Sequence, residues 1–259
     1  MATPQSPQAP VPPAEGNAPE PRHLSAGFGA SWWGEGWRVF AAAPGTWIGI
    51  TLILLVIMFV LLVIPFIGYV AQTLLLPVFA GGVMLGCSAL ARGEPLRIAH
   101  LFDGFGSGRF GPLIVLGVVM LAASIVLTMV CAMVGVVAIG VGGFAALAAL
   151  DPAHIDVNVL RSLGVGFLIV LLVALVGVAL IAMAYWYAPA LVVLNREEPL
   201  RALGKSFAAS WRNLGALTIY GLIYVGLAIL ASIPLGLGWL VLAPMIVGSC
   251  YAGWRTIFA

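Results

Sequence analysis

Charge is what this chain has least of. Asp, Glu, Lys and Arg make up 8% of it and hydrophobic residues 63%, where soluble domains carry about 25% charge. That balance excludes a water-soluble globule and makes lipid the main solvent. The scarcity is sharpest inside the long apolar runs, none of which has an acidic or basic residue near its middle. Proton relays, voltage sensing and ion coupling through carboxylates need ionisable groups at membrane depth, so these functions are excluded. Cysteine is scarce too. Cys87, Cys131 and Cys250 all fall in apolar runs without metal-type spacing and read as small packing residues.

Catalytic signatures are also missing. There is no Gly-x-Ser-x-Gly elbow, and Gly140-Val141-Gly142-Gly143 has neither a preceding strand nor a following lysine to make a phosphate loop. His23, His100 and His154 are too far apart in topology for one metal site. Asp151, His154 and Asp156 read as solvated loop residues. No enzyme activity, cofactor or metal is expected. The formal net charge of +2 is too small to imply nucleic acid.

What is present is six apolar runs, at Thr46–Ile64, Tyr69–Ala91, Pro112–Ile139, Gly164–Leu194, Gly215–Ile233 and Leu237–Trp254. Their lengths suit a hydrocarbon core of about 30 Å, which needs about 20 residues per helix. They do not alternate as barrel strands do. The expected fold is an all-α integral membrane protein with six transmembrane helices. If the chain starts inside, the inside set is Arg22, Arg38, Arg92, Arg97, Arg109, Arg196, Arg201, Lys205, Arg212 and Arg255, leaving Arg161 outside. Lys and Arg near span ends are retained on the cytoplasmic side, so both termini are expected there. Residues 1–26 are rich in Pro and Ala without an apolar run, and are expected to be a disordered cytoplasmic tail rather than a signal peptide. The transmembrane domain is then 27–259.

The connections suggest an internal repeat. Ile64-Pro65 and Ile233-Pro234 open two uncharged turns, and Pro77 and Pro244 follow, each four residues before a glycine, Gly81 and Gly248. Gly93-Glu94-Pro95-Leu96-Arg97 resembles Glu197-Glu198-Pro199-Leu200-Arg201. Three tandem hairpins fit this pattern. In Pro199 to Leu214, the residues Leu200, Leu203, Phe207, Trp211 and Leu214 recur at helical spacing, with Arg201, Lys205 and Arg212 on other faces. That predicts an amphipathic helix in the membrane interface, and Leu96–Phe105 and the Trp32, Trp33, Trp37, Phe40 stripe predict two more. Lipid headgroup contact is expected at Arg92, Arg97, Arg109, Arg201, Lys205 and Arg212. Close-approach faces are expected at Gly82-xxx-Gly86, Ala138-xxx-Gly142 and Gly248 with Ala252. The in-span polar residues Gln72, Thr73, Ser124 and Thr128 are candidates for a polar path.

Several segments carry a resemblance: Gly36-Trp37-Arg38-Val39-Phe40, Pro77-Val78-Phe79, His100 to Phe105, Ala188-Pro189-Ala190-Leu191, Ser206-Phe207 with Arg212-Asn213, and Tyr251 to Phe258. Through them the chain resembles bacterial inner-membrane proteins of unknown function. More distantly it is similar to the six-helix membrane domain that precedes some glycerophosphodiester phosphodiesterases, whose catalytic part is absent. The resemblance implies a fold rather than an activity. The expected function is a non-enzymatic inner-membrane protein that contacts anionic lipid and supports envelope or lipid homeostasis. The alternative is a small transporter or channel for an uncharged or lipid-like solute without ion coupling. Protein partners and oligomeric state are not legible.

Overall fold

The computed structural model describes residues 19–106, 108–148 and 157–258. Their helices are α1 (Phe28–Ala42), α2 (Pro44–Leu62), α3 (Ile67–Ala91), a 3-10 turn (Ile98–Phe102) running into α4 (Asp103–Gly106), α5 (Phe110–Ala148), α6 (Val157–Tyr185), α7 (Ala188–Leu194), α8 (Pro199–Arg212), α9 (Leu214–Ser232) and α10 (Trp239–Phe258). Among the described residues, six stretches are long and apolar enough to cross a membrane: Pro44–Leu62, Ile67–Ala91, Phe110–Ala138, Gly164–Leu194, Leu214–Ser232 and Trp239–Phe258. Helices suit such sequences because lipid cannot satisfy backbone N–H and C=O groups, and a helix pairs them within itself.

Burial divides the helices into two layers. Most of the buried spanning residues belong to α3, α7 and α10, which touch one another. By contrast α2, α5, α6 and α9 turn outward large apolar side chains such as Phe59, Met129, Leu172 and Leu222. In a bilayer those faces meet acyl chains and need no further cover.

The fourth apolar run is one stretch in sequence but two helices in space. Pro189 has no amide to donate and its ring crowds the preceding turn, so α6 stops at Tyr185 and α7 restarts at Ala188. The groups freed by the break find partners on α8. Ser206 Oγ accepts from the Tyr187 amide (3.0 Å) and donates to the Met183 carbonyl (2.9 Å), which also accepts from Ser210 Oγ (3.1 Å). Gly140 takes φ 72°, ψ 163° and interrupts α5.

The last turns of α3 (Leu90, Ala91) and α10 (Ala252, Arg255) line one cavity, so the two helices run in the same direction. The turns that open them therefore lie together at the opposite end. Both turns use the same backbone device: the residue after the proline has positive φ, 59° at Phe66 and 54° at Leu235.

Each segment that precedes a span pair packs on the preceding long helix. The 98–106 segment packs on α3, α8 packs on α6 and α7, and α1 packs on α10, which closes the sequence into a ring. The glycine pair in α3 serves this purpose: Gly82 faces the carbonyls of His100 and Leu101, and Gly86 faces Leu96 and His100. Gly248 likewise faces Gly36 and Val39 of α1. The surroundings of Gly142 lie outside the described side chains.

α1 corrects the expectation of an interfacial stripe. Trp32, Trp33 and Phe40 are buried and only Trp37 of the four is exposed. The reason lies in Gly29 and Gly36, which bring α1 against the backbones of α9 and α10. Trp33 then stacks on Tyr220, with ring centroids 4.6 Å apart, and donates its indole N–H to the Tyr220 carbonyl (3.2 Å). Trp32 donates to Thr256 Oγ1 (3.0 Å).

Candidate functional site

The segments carrying ten of the eleven basic residues gather at one end of the bundle, where α3 and α10 terminate. Arg161 belongs to α6, and its side chain lies outside the described ones, as do Asp151, His154 and Asp156. Three features occupy this basic end: α8, a docked stretch before α1, and a seam between α3 and α10.

α8 has three faces. Ala202, Ser206, Ala209 and Ser210 are buried against the protein, their small size letting the helix lie close to α6. Of the predicted apolar stripe, Leu200 (69%), Trp211 (59%) and Leu214 are exposed, whereas Leu203 and Phe207 are partly buried. Arg201, Lys205 and Arg212 form the third face. They do not share one environment. Arg201 and Arg212 are exposed, whereas the Lys205 ammonium is drawn inward to the fully buried Glu197 carboxylate (2.5 Å) and retains 15% exposure. Lys205 is therefore an ion-pair partner inside the protein rather than a headgroup contact. Glu197 reaches that position because the end of α7 closes on the Leu191 carbonyl, which accepts from the amides of Asn195 (3.2 Å) and Glu197 (3.1 Å) across Arg196 at φ 55°. This is a left-handed helix cap of the kind usually made with glycine.

Residues just before α1 cross the basic end as a bound strap. The Arg22 amide donates to the Ile257 carbonyl (3.1 Å), His23 Nδ1 lies 2.7 Å from the Arg212 carbonyl, and Asn213 accepts from the Leu24 amide (2.7 Å) while donating to the Arg22 carbonyl (2.9 Å). Arg212 adds a hydrogen bond to the Pro21 carbonyl (3.2 Å). The tail boundary expected at residue 26 thus falls after a hydrogen-bonded segment. Residues 1–18 lie outside the described ones.

The other predicted headgroup residues are dispersed. Arg92 grips Glu94 through Nε (2.7 Å) and Nη2 (3.3 Å) and donates to Ser88 Oγ (2.8 Å). This guanidinium hydrogen bond holds the exposed Glu94 carboxyl below the usual carboxylate range. Arg97 is exposed and Arg109 partly covered, both beside the 98–106 segment. There Phe102 and Phe105 meet the edge of Phe79, and Phe105 stacks on Phe110.

The predicted polar path is not assembled. Thr73, Ser124 and Thr128 each donate to the carbonyl four residues earlier, on Tyr69, Met120 and Ser124, and Gln72 donates to the Met58 carbonyl (2.6 Å). Hydroxyls in apolar surroundings satisfy themselves on their own helix when nothing else is offered.

The seam between α3 and α10 escaped sequence reasoning. Near the basic end it opens as a cavity of about 180 Å³ whose mouth carries Glu35, Arg38 and Arg255. Glu35 lies 3.1 Å from Arg38 and 4.0 Å from Arg255. Deeper along the same two helices, and walled by α2, is a second cavity of about 170 Å³ with an almost wholly apolar lining. The available signal was the (i, i+3) pair Glu35 and Arg38 on a helix rich in aromatics, but nothing in the sequence brings Arg255 beside it.

A curated protein of Burkholderia thailandensis, described as a probable inner membrane protein, is 31% identical over 208 residues, covering 80% of this chain and 75% of its own length. The chain belongs to this inner-membrane protein family. It is accordingly a multi-pass inner-membrane protein, in keeping with its six apolar helices. No protein-family profile and no solved structure matches it.

Proposed function

We propose that this is a non-enzymatic inner-membrane protein whose basic end faces the cytoplasm and gathers anionic lipid, in support of envelope or lipid homeostasis. One observation carries the reading: α8 holds its small face to the protein and turns Leu200 and Trp211 outward beside the exposed Arg201 and Arg212. A helix with an outward apolar edge and cations beside it is stable where acyl chains meet phosphates. Each cation near an anionic leaflet adds about 1 kcal/mol of attraction. The cytoplasmic placement follows from the ten-to-one distribution of Lys and Arg. The transport alternative draws no support from Gln72, Thr73, Ser124 and Thr128, which bond to backbone carbonyls.

The test is quantification of lipid that co-purifies with the full chain in mild detergent. Arg201→Gln with Arg212→Gln should lower the anionic share. An unchanged share would refute the lipid contact at α8. A C-terminal reporter active only outside the cell would refute the orientation.

A further inference from the structure

The cavities between α3 and α10 lie end to end. On α3 the upper is lined by Cys87 and the lower by Met84, one turn away, and on α10 the change from upper to lower falls between Gly248 and Val247. They follow one another along the α3–α10 seam as two cavities, and the chemistry of the lining changes from the first to the second. At the basic end, Arg38 and Arg255 face one carboxylate, Glu35. Three formal charges there sum to +1. The Arg38 and Arg255 side chains remain 73% and 49% exposed, so the mouth is open to an incoming group.

In the depth of the seam the polar groups are already used. Trp47 donates its indole N–H to the Val39 carbonyl (2.9 Å), and Thr51 donates to the Trp47 carbonyl (2.9 Å). The remaining wall is aliphatic and aromatic carbon with Met84. A site of this kind stays dry and takes apolar matter, as cavities of about 150 Å³ lined by such residues do. Leu54 is partly exposed and Leu76 exposed on its flank, so the lining of the deeper cavity includes side chains of α2 and α3 that acyl chains can reach.

We infer that the α3–α10 seam is a binding site for one phospholipid, with a monoanionic phosphodiester at Arg38 and Arg255 and a short part of one acyl chain seated against α2, the rest of the lipid lying outside the protein. The two ends of the seam select together. An excess of one positive charge matches a phosphodiester, and the dry interior rejects polar solutes. The arginines supply directional N–H donors suited to phosphate oxygens. Only the placement of the basic end at headgroup depth rests on the reading given above. The residues are otherwise separate from those of α8.

Native mass spectrometry of the full chain, delipidated in detergent and titrated with phosphatidylglycerol, tests the site. The wild type should hold one lipid per chain more tightly than any further lipids. Diacylglycerol, which lacks the phosphate, should bind about tenfold more weakly. Arg38→Gln with Arg255→Gln should weaken phosphatidylglycerol by about thirtyfold, about what two interfacial cations contribute. Ala80→Leu with Ala243→Leu, filling the apolar cavity, should also remove the tight lipid. Since the arginines are exposed, loss of binding in their variant with an unchanged melting temperature cannot be assigned to misfolding. Arg201→Gln with Arg212→Gln should leave the single tight lipid in place, which separates this site from the α8 surface. Equal binding of diacylglycerol, displacement by glycerol 3-phosphate alone, or full retention in the cavity-filled variant would each overturn the proposal.

Discussion

Ser206 on α8 donates to the Met183 carbonyl of α6 at 2.9 Å and accepts from the Tyr187 amide at 3.0 Å, so one hydroxyl bridges both sides of the break before Pro189. Helix breaks at membrane depth persist only where the freed backbone groups find partners inside the protein. Ser206→Ala removes both bonds and leaves the Tyr187 amide buried without that partner, at a cost of about 1–2 kcal/mol. Ser210→Ala should cost less, because Met183 keeps its bond from Ser206. Thermal unfolding of the two variants in the same detergent checks the order, and equal losses would mean that Ser206 does not bridge the break.

α1 and α10 meet at Gly36 and Gly248. A Cβ on Gly36 would run into the Met245 carbonyl, whereas one on Gly34, two residues earlier, would meet nothing within 4 Å. Gly36→Ala should therefore destabilise by about 1–3 kcal/mol through overpacking. Gly34→Ala should be neutral or gain up to about 1 kcal/mol from helix propensity. Tryptophan emission offers a local readout, because Trp32 and Trp33 are buried by the same contact. A red shift is expected for Gly36→Ala alone.

The spans were legible because length and hydropathy are local properties. All six apolar runs became helical, the fourth in two pieces, with ends displaced by a few residues, and the helical period of α8 was readable for the same reason. The orientation of α1 was not. Its tryptophans are as apolar as an interfacial stripe, and only the distant partners Ala216, Tyr220 and Met245 make them core. The Lys205 side chain also looked free in sequence, since nothing marks Glu197, eight residues earlier, as its buried partner. The α3–α10 seam depends on residues more than 200 positions apart, Glu35 and Arg255 among them. Periodicity carries no information at that range.

Arg92 and Glu94 set a pH-dependent contact at the basic end. The carboxyl is held below its usual range by the guanidinium hydrogen bond. A carboxylate whose folded pKa is depressed contributes its pairing fully above the unfolded pKa, about 4.3, and loses it as pH falls through the lower folded value. The pair should thus remain intact from neutral pH down to below that range. Carbon NMR of labelled glutamate should show Glu94 titrating below the ordinary carboxylate range. Arg92→Gln should return it to the ordinary range, and an unmoved midpoint would break the assignment to Arg92.

The buried Glu197–Lys205 pair yields a non-additive prediction. Glu197 has no exposed side-chain surface and Lys205 only 15%. Replacing Lys205 takes a cation away from a buried carboxylate in a medium that solvates charge poorly, so Lys205→Met should cost up to about 3 kcal/mol. Replacing both by neutral residues of similar volume removes the stranded charge together with the pair. Glu197→Gln with Lys205→Met should therefore recover most of the loss. In a double-mutant cycle on unfolding in detergent, the combined effect should be smaller than that of Lys205→Met alone and smaller than the sum of the two singles. Simple additivity would show that the two side chains act independently, and would return Lys205 to the set of cations available to lipid.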